Sequence, residues 1–145
     1  MLTILIACAV LVGATILIHY EVLRALDLRL RSMATQNRRK LLVVIFATFL
    51  AHAAEVALYG LGYYVLTVYV DVGQLTSSAG FSWRTCMYFS LETYTTLSLG
   101  DITPVGEIRL LAGAEALNGL LLVGWSASFA YLTMGQFWNS GKDER

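Results

Sequence analysis

Thr93-Tyr94-Thr95-Thr96-Leu97-Ser98-Leu99-Gly100-Asp101-Ile102-Thr103-Pro104 is the stretch on which the reading of this chain turns. A threonine-rich run gives way to a short apolar-and-small segment, then to Gly-Asp and the single proline of the sequence. Long apolar segments lie on both sides, in a chain that is 57% hydrophobic and only 14% charged. A typical soluble domain carries about 25% charged residues, so the composition points to a helical membrane protein. Non-helical backbone at membrane depth is tolerated only where it is buried in protein or lines a watery cavity. The stretch is therefore expected to line something that the flanking helices hold in place.

Working outward, Phe81–Thr95 reads as a helix of roughly four turns, too short to cross a bilayer. Ser82 is its expected N-cap, and its C-terminal end, with partial negative charge, aims at the threonine run and favours a cation there. Residues 107–138 form the last long apolar segment. Gly113, Gly119, Gly124 and Ser126 along it allow close helix contact or bending, and Phe137 and Trp138 suit a membrane interface. Glu115 and Asn118 are its polar residues, three apart on one face. Asn118 either hydrogen-bonds to Glu115 or a neighbouring helix, or lines a cavity. Leu120, Val123, Ala127 and Tyr131 share another face, which is a pore lining or a packing stripe.

On the other side, residues 41–70 are a second apolar segment, long enough to span and to reach beyond the membrane. His52 and Glu55 lie three apart within it. Ionisable residues in a spanning helix point into the protein, so the two either pair structurally or sense protons. Tyr59, Tyr63, Tyr64 and Tyr69 gather at the far end as an expected interfacial aromatic belt. Residues 1–20 make a further span, read as a retained helix because no positive n-region or cleavage site accompanies it. Gly13 and Ala14 would be its close-contact residues. Residues 21–40 form a basic amphipathic linker holding Arg24, Arg29, Arg31, Arg38, Arg39 and Lys40, six of the ten basic residues. Basic residues concentrate in cytoplasmic loops, which places the N-terminus outside and the C-terminus inside. Residues 139–145 are a polar tail. Cys8 and Cys86 both sit in apolar stretches and are read as buried free thiols.

Three crossings plus a short re-entrant helix and loop resemble the pore domain of the potassium-channel-like tetrameric cation channels. Those proteins follow an aromatic-rich pore helix with T-x-T-T-V-G-Y-G-D, a loop often holding proline, and an inner helix. Here Tyr88-Phe89-Ser90-Leu91-Glu92-Thr93-Tyr94-Thr95-Thr96-Leu97-Ser98-Leu99-Gly100-Asp101 takes that place, and the likeness covers residues 41 to 138. The resemblance implies an all-α membrane protein with an outer helix (41–70), pore helix (81–95), filter (96–101) and inner helix (107–138), plus one extra N-terminal helix. It implies ion binding by Thr96, Leu97, Ser98, Leu99 and Gly100, with a monovalent cation held at Thr96, Leu97 and Ser98. Thr95, Glu92 and Asp101 would support the filter and its outer mouth, and Asn118, Gly119, Val123 and Ala127 would line the cavity or gate.

The filter departs from the family pattern. Ser98 stands where the family has its first filter glycine, and a non-glycine residue at positive φ costs roughly 1–2 kcal/mol. Leu99 replaces the tyrosine strut. Both changes imply weak selectivity among monovalent cations. The expected function is a homotetrameric channel subunit conducting K+ and possibly Na+ in a cell membrane, taken to be the bacterial inner membrane. No cofactor is expected beyond the permeant cations K+ or Na+, and the partners are identical subunits and lipid, without nucleic acid. The alternative is a non-conducting channel-like accessory or sensor protein with an occluded pore. No catalytic constellation suggests an enzyme.

Overall fold

The computed structural model describes residues 1–32, 37–78 and 80–140. Expectations for residues 33–36, for the tail from residue 141, and for the side chains of Phe137 and Trp138 lie outside them. Helix α1 (Leu2–Ser32) is followed by α2 (Asn37–Val65), which ends in a π-type turn over Leu66–Val70. Strand β1 (Gly73–Ser77), helix α3 (Trp83–Tyr94), strand β2 (Ile102–Gly106) and helix α4 (Ile108–Ser140) complete the chain. Among the described residues, three helices are long and apolar enough to cross a membrane: Leu2–Ser32, Arg38–Val70 and Ile108–Gly135. With 12 residues, α3 is about 18 Å long, well short of a hydrocarbon core of about 30 Å. The architecture is the all-α membrane fold that the apolar runs imply.

Helix α3 starts where its cap dictates. Ser82 has extended backbone and its hydroxyl accepts from the Thr85 amide at 3.2 Å, satisfying one of the orphan donors at a helix start. Helix α2 packs against α1, α3 and α4, and α1 and α3 each pack against α4 as well. The shared core holds Leu11, Val56, Tyr59, Tyr63, Phe89, Tyr94 and Leu111.

Helix α1 is not broken at residue 20. It runs on through the first part of the basic linker as one helix to Ser32. Its buried residues Ile4, Leu11, Thr15, His19, Leu23, Leu26 and Leu30 fall three, four or seven apart, which places them on one stripe. That stripe docks on α2 and α4 of the same chain. The close approach does not use Gly13, which meets nothing within 4 Å. It uses Gly62 of α2, where an added Cβ would lie 2.7 Å from Leu11 Cδ1.

Two short strands interrupt the helical pattern. β1 and β2 pair antiparallel, from Gly73 opposite Gly106 to Ser77 opposite Ile102. They join the loop after α2 to the loop after the threonine run, with Leu75 and Ile102 buried beneath them. Neither strand is expected from the sequence, because a five-residue strand whose partner lies far along the chain leaves little local pattern.

Candidate functional site

Helix α3 delivers the threonine run. Its last turn is closed by Thr95, whose hydroxyl donates to the Leu91 carbonyl at 2.7 Å. The Thr96 amide then donates to the Thr93 carbonyl at 3.0 Å. Beyond this point the backbone reverses hand at every second residue. Thr96, Ser98 and Gly100 have φ of 58°, 43° and 81°, and Leu97 and Leu99 are not among the positive-φ residues. Only glycine takes that conformation freely, so Thr96 and Ser98 are held there by their surroundings.

Glu92 supplies the hold. It is buried, and the Leu97 amide donates to its backbone carbonyl at 2.9 Å. The Leu99 amide donates to its carboxylate Oε1 at 3.3 Å. Two amides, two residues apart, thus point back at the same residue of α3. In a planar trans peptide the C=O is antiparallel to the N–H. The carbonyls of Thr96 and Ser98 therefore both point away from α3, towards the open side of the loop.

The surroundings of the loop are polar behind and open in front. The Tyr88 phenol is pushed above its usual range by loss of hydration and by the neighbouring carboxylates Glu92 and Asp101. A cleft of about 350 Å³ runs between the loop and α4, lined among others by Phe89, Glu92, Thr96, Ser98 and Ala116. Leu97 and Leu99 are 64% and 62% exposed, so this chain alone leaves two apolar side chains of the loop uncovered. Asp101 is exposed after Gly100. Among the described residues, no ion pair joins Glu92 to Arg84 or Arg109.

The inner-helix residues separate into two groups. Val123 and Ala127, together with Leu120 and Tyr131, form a face that this chain leaves open to solvent or to a neighbour. That face is therefore not an intrachain packing stripe. Asn118 and Gly119 are buried. The Asn118 amide donates to Thr15 Oγ1 at 2.8 Å and to the Tyr59 hydroxyl at 3.2 Å, so of its alternative roles it has the helix-to-helix one. Gly119 lies directly against the backbone of Tyr94.

Glu115 does not pair with Asn118. It accepts from the Tyr63 hydroxyl and from the Ser90 hydroxyl, each at 2.5 Å. The aromatic-belt expectation fails for Tyr59 and Tyr63, which are fully buried. Four-residue spacing turns both towards α4, where polar groups wait for their hydroxyls. Tyr69 is exposed as a belt residue should be, and Tyr64 stacks on Phe81 with ring centroids 6.0 Å apart.

His52 and Glu55 do pair, His52 Nδ1 lying 3.1 Å from Glu55 Oε2. They belong to a larger group. His19 Nδ1 of α1 lies 2.9 Å from Glu55 Oε1, and the Tyr94 hydroxyl donates to Glu55 Oε2. His52 Nδ1 also lies 2.8 Å from that hydroxyl. Ser126 Oγ of α4 stands 3.0 Å from His52 Nε2 and 3.2 Å from His19 Nε2. By type, His19, His52 and Glu55 are able to ligate a metal, and their ligand atoms lie within 4.8 Å of one another. Each of those atoms, however, is already engaged in a hydrogen bond. Four helices meet at this cluster, one residue before the loop begins.

A buried polar role was not read from the sequence for His19, Thr15, Tyr94, Ser90 or Ser126. A signal for the first two was present. Thr15 and His19 lie on the stripe of Leu11 and Leu23, and a polar residue on a buried stripe demands a polar partner.

A family model described as an ion channel matches residues 40–134, from the start of α2 through most of α4. No curated relative and no solved structure matches the chain significantly.

Proposed function

Because the chain belongs to the ion channel family, we propose that it conducts monovalent cations, K+ and Na+ with weak discrimination, through a filter made of Thr96–Gly100 from four identical chains. One observation supports this above the others: the carbonyls of Thr96 and Ser98 point together away from the α3 end that carries Glu92. A ring of such carbonyls replaces the hydration shell of a cation. One chain supplies one such ladder, and a pore needs a ring of them. The open α4 face with Val123 and Ala127 suits the wall of the passage below, and exposed Asp101 suits its outer mouth. Ser98 and Thr96 sit at positive φ without being glycine, at a cost of about 1–2 kcal/mol each. Their hydroxyls add oxygen atoms to the loop. Both features favour a filter less sharply tuned than an all-glycine one. The basic residues at the end of α1 and the start of α2 favour a cytoplasmic position for that end of the helices.

A second reading rests on Leu97 and Leu99. Their exposed side chains either pack against the next chain in the ring or close the axis. In the latter case the protein is a non-conducting accessory subunit. Purified protein in planar bilayers under opposed K+ and Na+ gradients separates the two. We expect cation current with a small reversal potential, shifted towards strong K+ preference by Ser98→Gly. No current above background at any voltage or pH would refute conduction and favour the accessory role.

A further inference from the structure

We infer that His19, His52 and Glu55 form a binding site for one proton, and that this proton ties α1 to the loop end of α3. The inference follows from counting hydrogens. Suppose first that Glu55 is ionised, so that both its oxygens only accept. His19 Nδ1 must then carry hydrogen to serve Oε1. The Tyr94 hydroxyl spends its only hydrogen on Oε2. His52 Nδ1 faces Oε2 and the Tyr94 oxygen, both acceptors towards it, so it carries hydrogen as well. Both Nε2 atoms face Ser126 Oγ, and that hydroxyl has one hydrogen to donate. It satisfies one ring. The other closes its bond only if its Nε2 is protonated too, which makes that ring an imidazolium.

Suppose instead that Glu55 is protonated and donates to His19 Nδ1. His19 Nε2–H then donates to Ser126, Ser126 donates to His52 Nε2, and both rings are neutral. The proton total is the same. Either way the network closes only when it holds one hydrogen beyond a carboxylate and two neutral imidazoles. The same count makes the cluster electrically neutral, as an apolar surrounding requires.

The groups facing this proton are few. α1 contributes His19, α2 contributes His52 and Glu55, and α3 contributes Tyr94. From α4 come Ser126 and the Trp125 ring, 5.5 Å from that of His19. Tyr59 of α2 and Glu115 of α4 are the next titratable groups, near enough to act on Tyr94 electrostatically. Removing the proton leaves two bare Nε2 atoms on one hydroxyl and a buried net charge. Either His19 or His52 must then let go. His19 anchors α1, and His52 anchors Tyr94, the residue before Thr95. Loss of the proton therefore loosens either the extra helix or the start of the loop. Only the consequence for current rests on the proposed conduction.

The chain has two histidines, so each ring is read separately in the protein labelled with 15N-histidine, 15N-threonine and 13C-glutamate and reconstituted in lipid. At pH 7 we expect one shared proton: one ring doubly protonated, or both rings neutral with Glu55 as the acid. Raising the pH should remove it in a single transition seen at both rings. The Thr95 and Thr96 amide signals should move with the same midpoint, and Tyr94→Phe should abolish that movement without changing the proton count. An ionised Glu55 beside two neutral rings at pH 7 would overturn the site. Amide signals that stay fixed through the transition would overturn the link to the loop. A protein that shows the shared proton but passes no current would refute conduction and leave the proton site standing.

Discussion

Gly119→Ala puts the packing beneath the loop under direct strain. An added Cβ at Gly119 would lie 2.3 Å from the Tyr94 carbonyl oxygen and 3.1 Å from its carbonyl carbon. The first distance falls about 1.1 Å short of the 3.4 Å at which ordinary contact begins. The obstacle is backbone, not the tip of a flexible side chain, so α3 or α4 has to move by about that amount. Overpacking of this kind costs about 1–3 kcal/mol, which lowers the apparent melting temperature by roughly 3–10 °C for a chain of this size. The displacement falls on the last residue of α3, where Tyr94 donates to Glu55 and Thr95 opens the loop. Conduction should therefore suffer along with stability. The assay is a thermal scan of purified protein in detergent, paired with bilayer currents. Gly13→Ala is the control, because its Cβ would meet nothing within 4 Å and alanine favours a helix by about 1 kcal/mol. It should melt at or above the wild-type temperature. A Gly119→Ala protein that melts and conducts like wild type would refute the contact between α4 and the end of α3.

Other substitutions probe the loop and the docking of α1. Glu92→Ala strips the Leu99 amide of its side-chain acceptor, a loss of about 0.5–1.5 kcal/mol for a typical hydrogen bond. Currents should decay faster or change selectivity while assembly persists, and Glu92→Gln should be milder; recordings indistinguishable from wild type for both variants would count against the brace. Asn118→Ala removes the bonds to Thr15 and Tyr59, about 1–3 kcal/mol by the cost of unpaired buried groups. Hydrogen exchange should quicken along α1 more than along α2, and unchanged exchange in α1 would contradict its docking through Thr15.

The helices were legible because each carries its own signal. Long apolar runs mark α1, α2 and α4. Ser82 marks the start of α3, and the Gly-Asp-Pro end of the loop marks the return. What stayed hidden depends on partners far along the chain. Glu115 and Asn118 share a helix face, yet Glu115 turns to Tyr63 and Ser90 while Asn118 turns to Thr15 and Tyr59. Spacing fixes which residues are neighbours on one helix and says nothing of what the next helix presents. Tyr59 and Tyr63 looked like belt residues because tyrosine suits both an interface and a buried hydroxyl pair. His19 passed unremarked because its partners, Glu55 and Ser126, lie 36 and 107 residues away. Ser98 was read as a difficulty for the loop. The backbone nonetheless takes φ of 43° there, held between amides that are tied back to Glu92.

The account stands most directly on where the carbonyls of Thr96 and Ser98 point once the chains have assembled. A structure of the assembled protein soaked in Rb+ or Tl+, read by anomalous scattering, tests it. We expect ion density on a rotation axis, flanked by Thr96 and Ser98 oxygens from every copy. Loops lying away from any axis, with no ion between them, would contradict it.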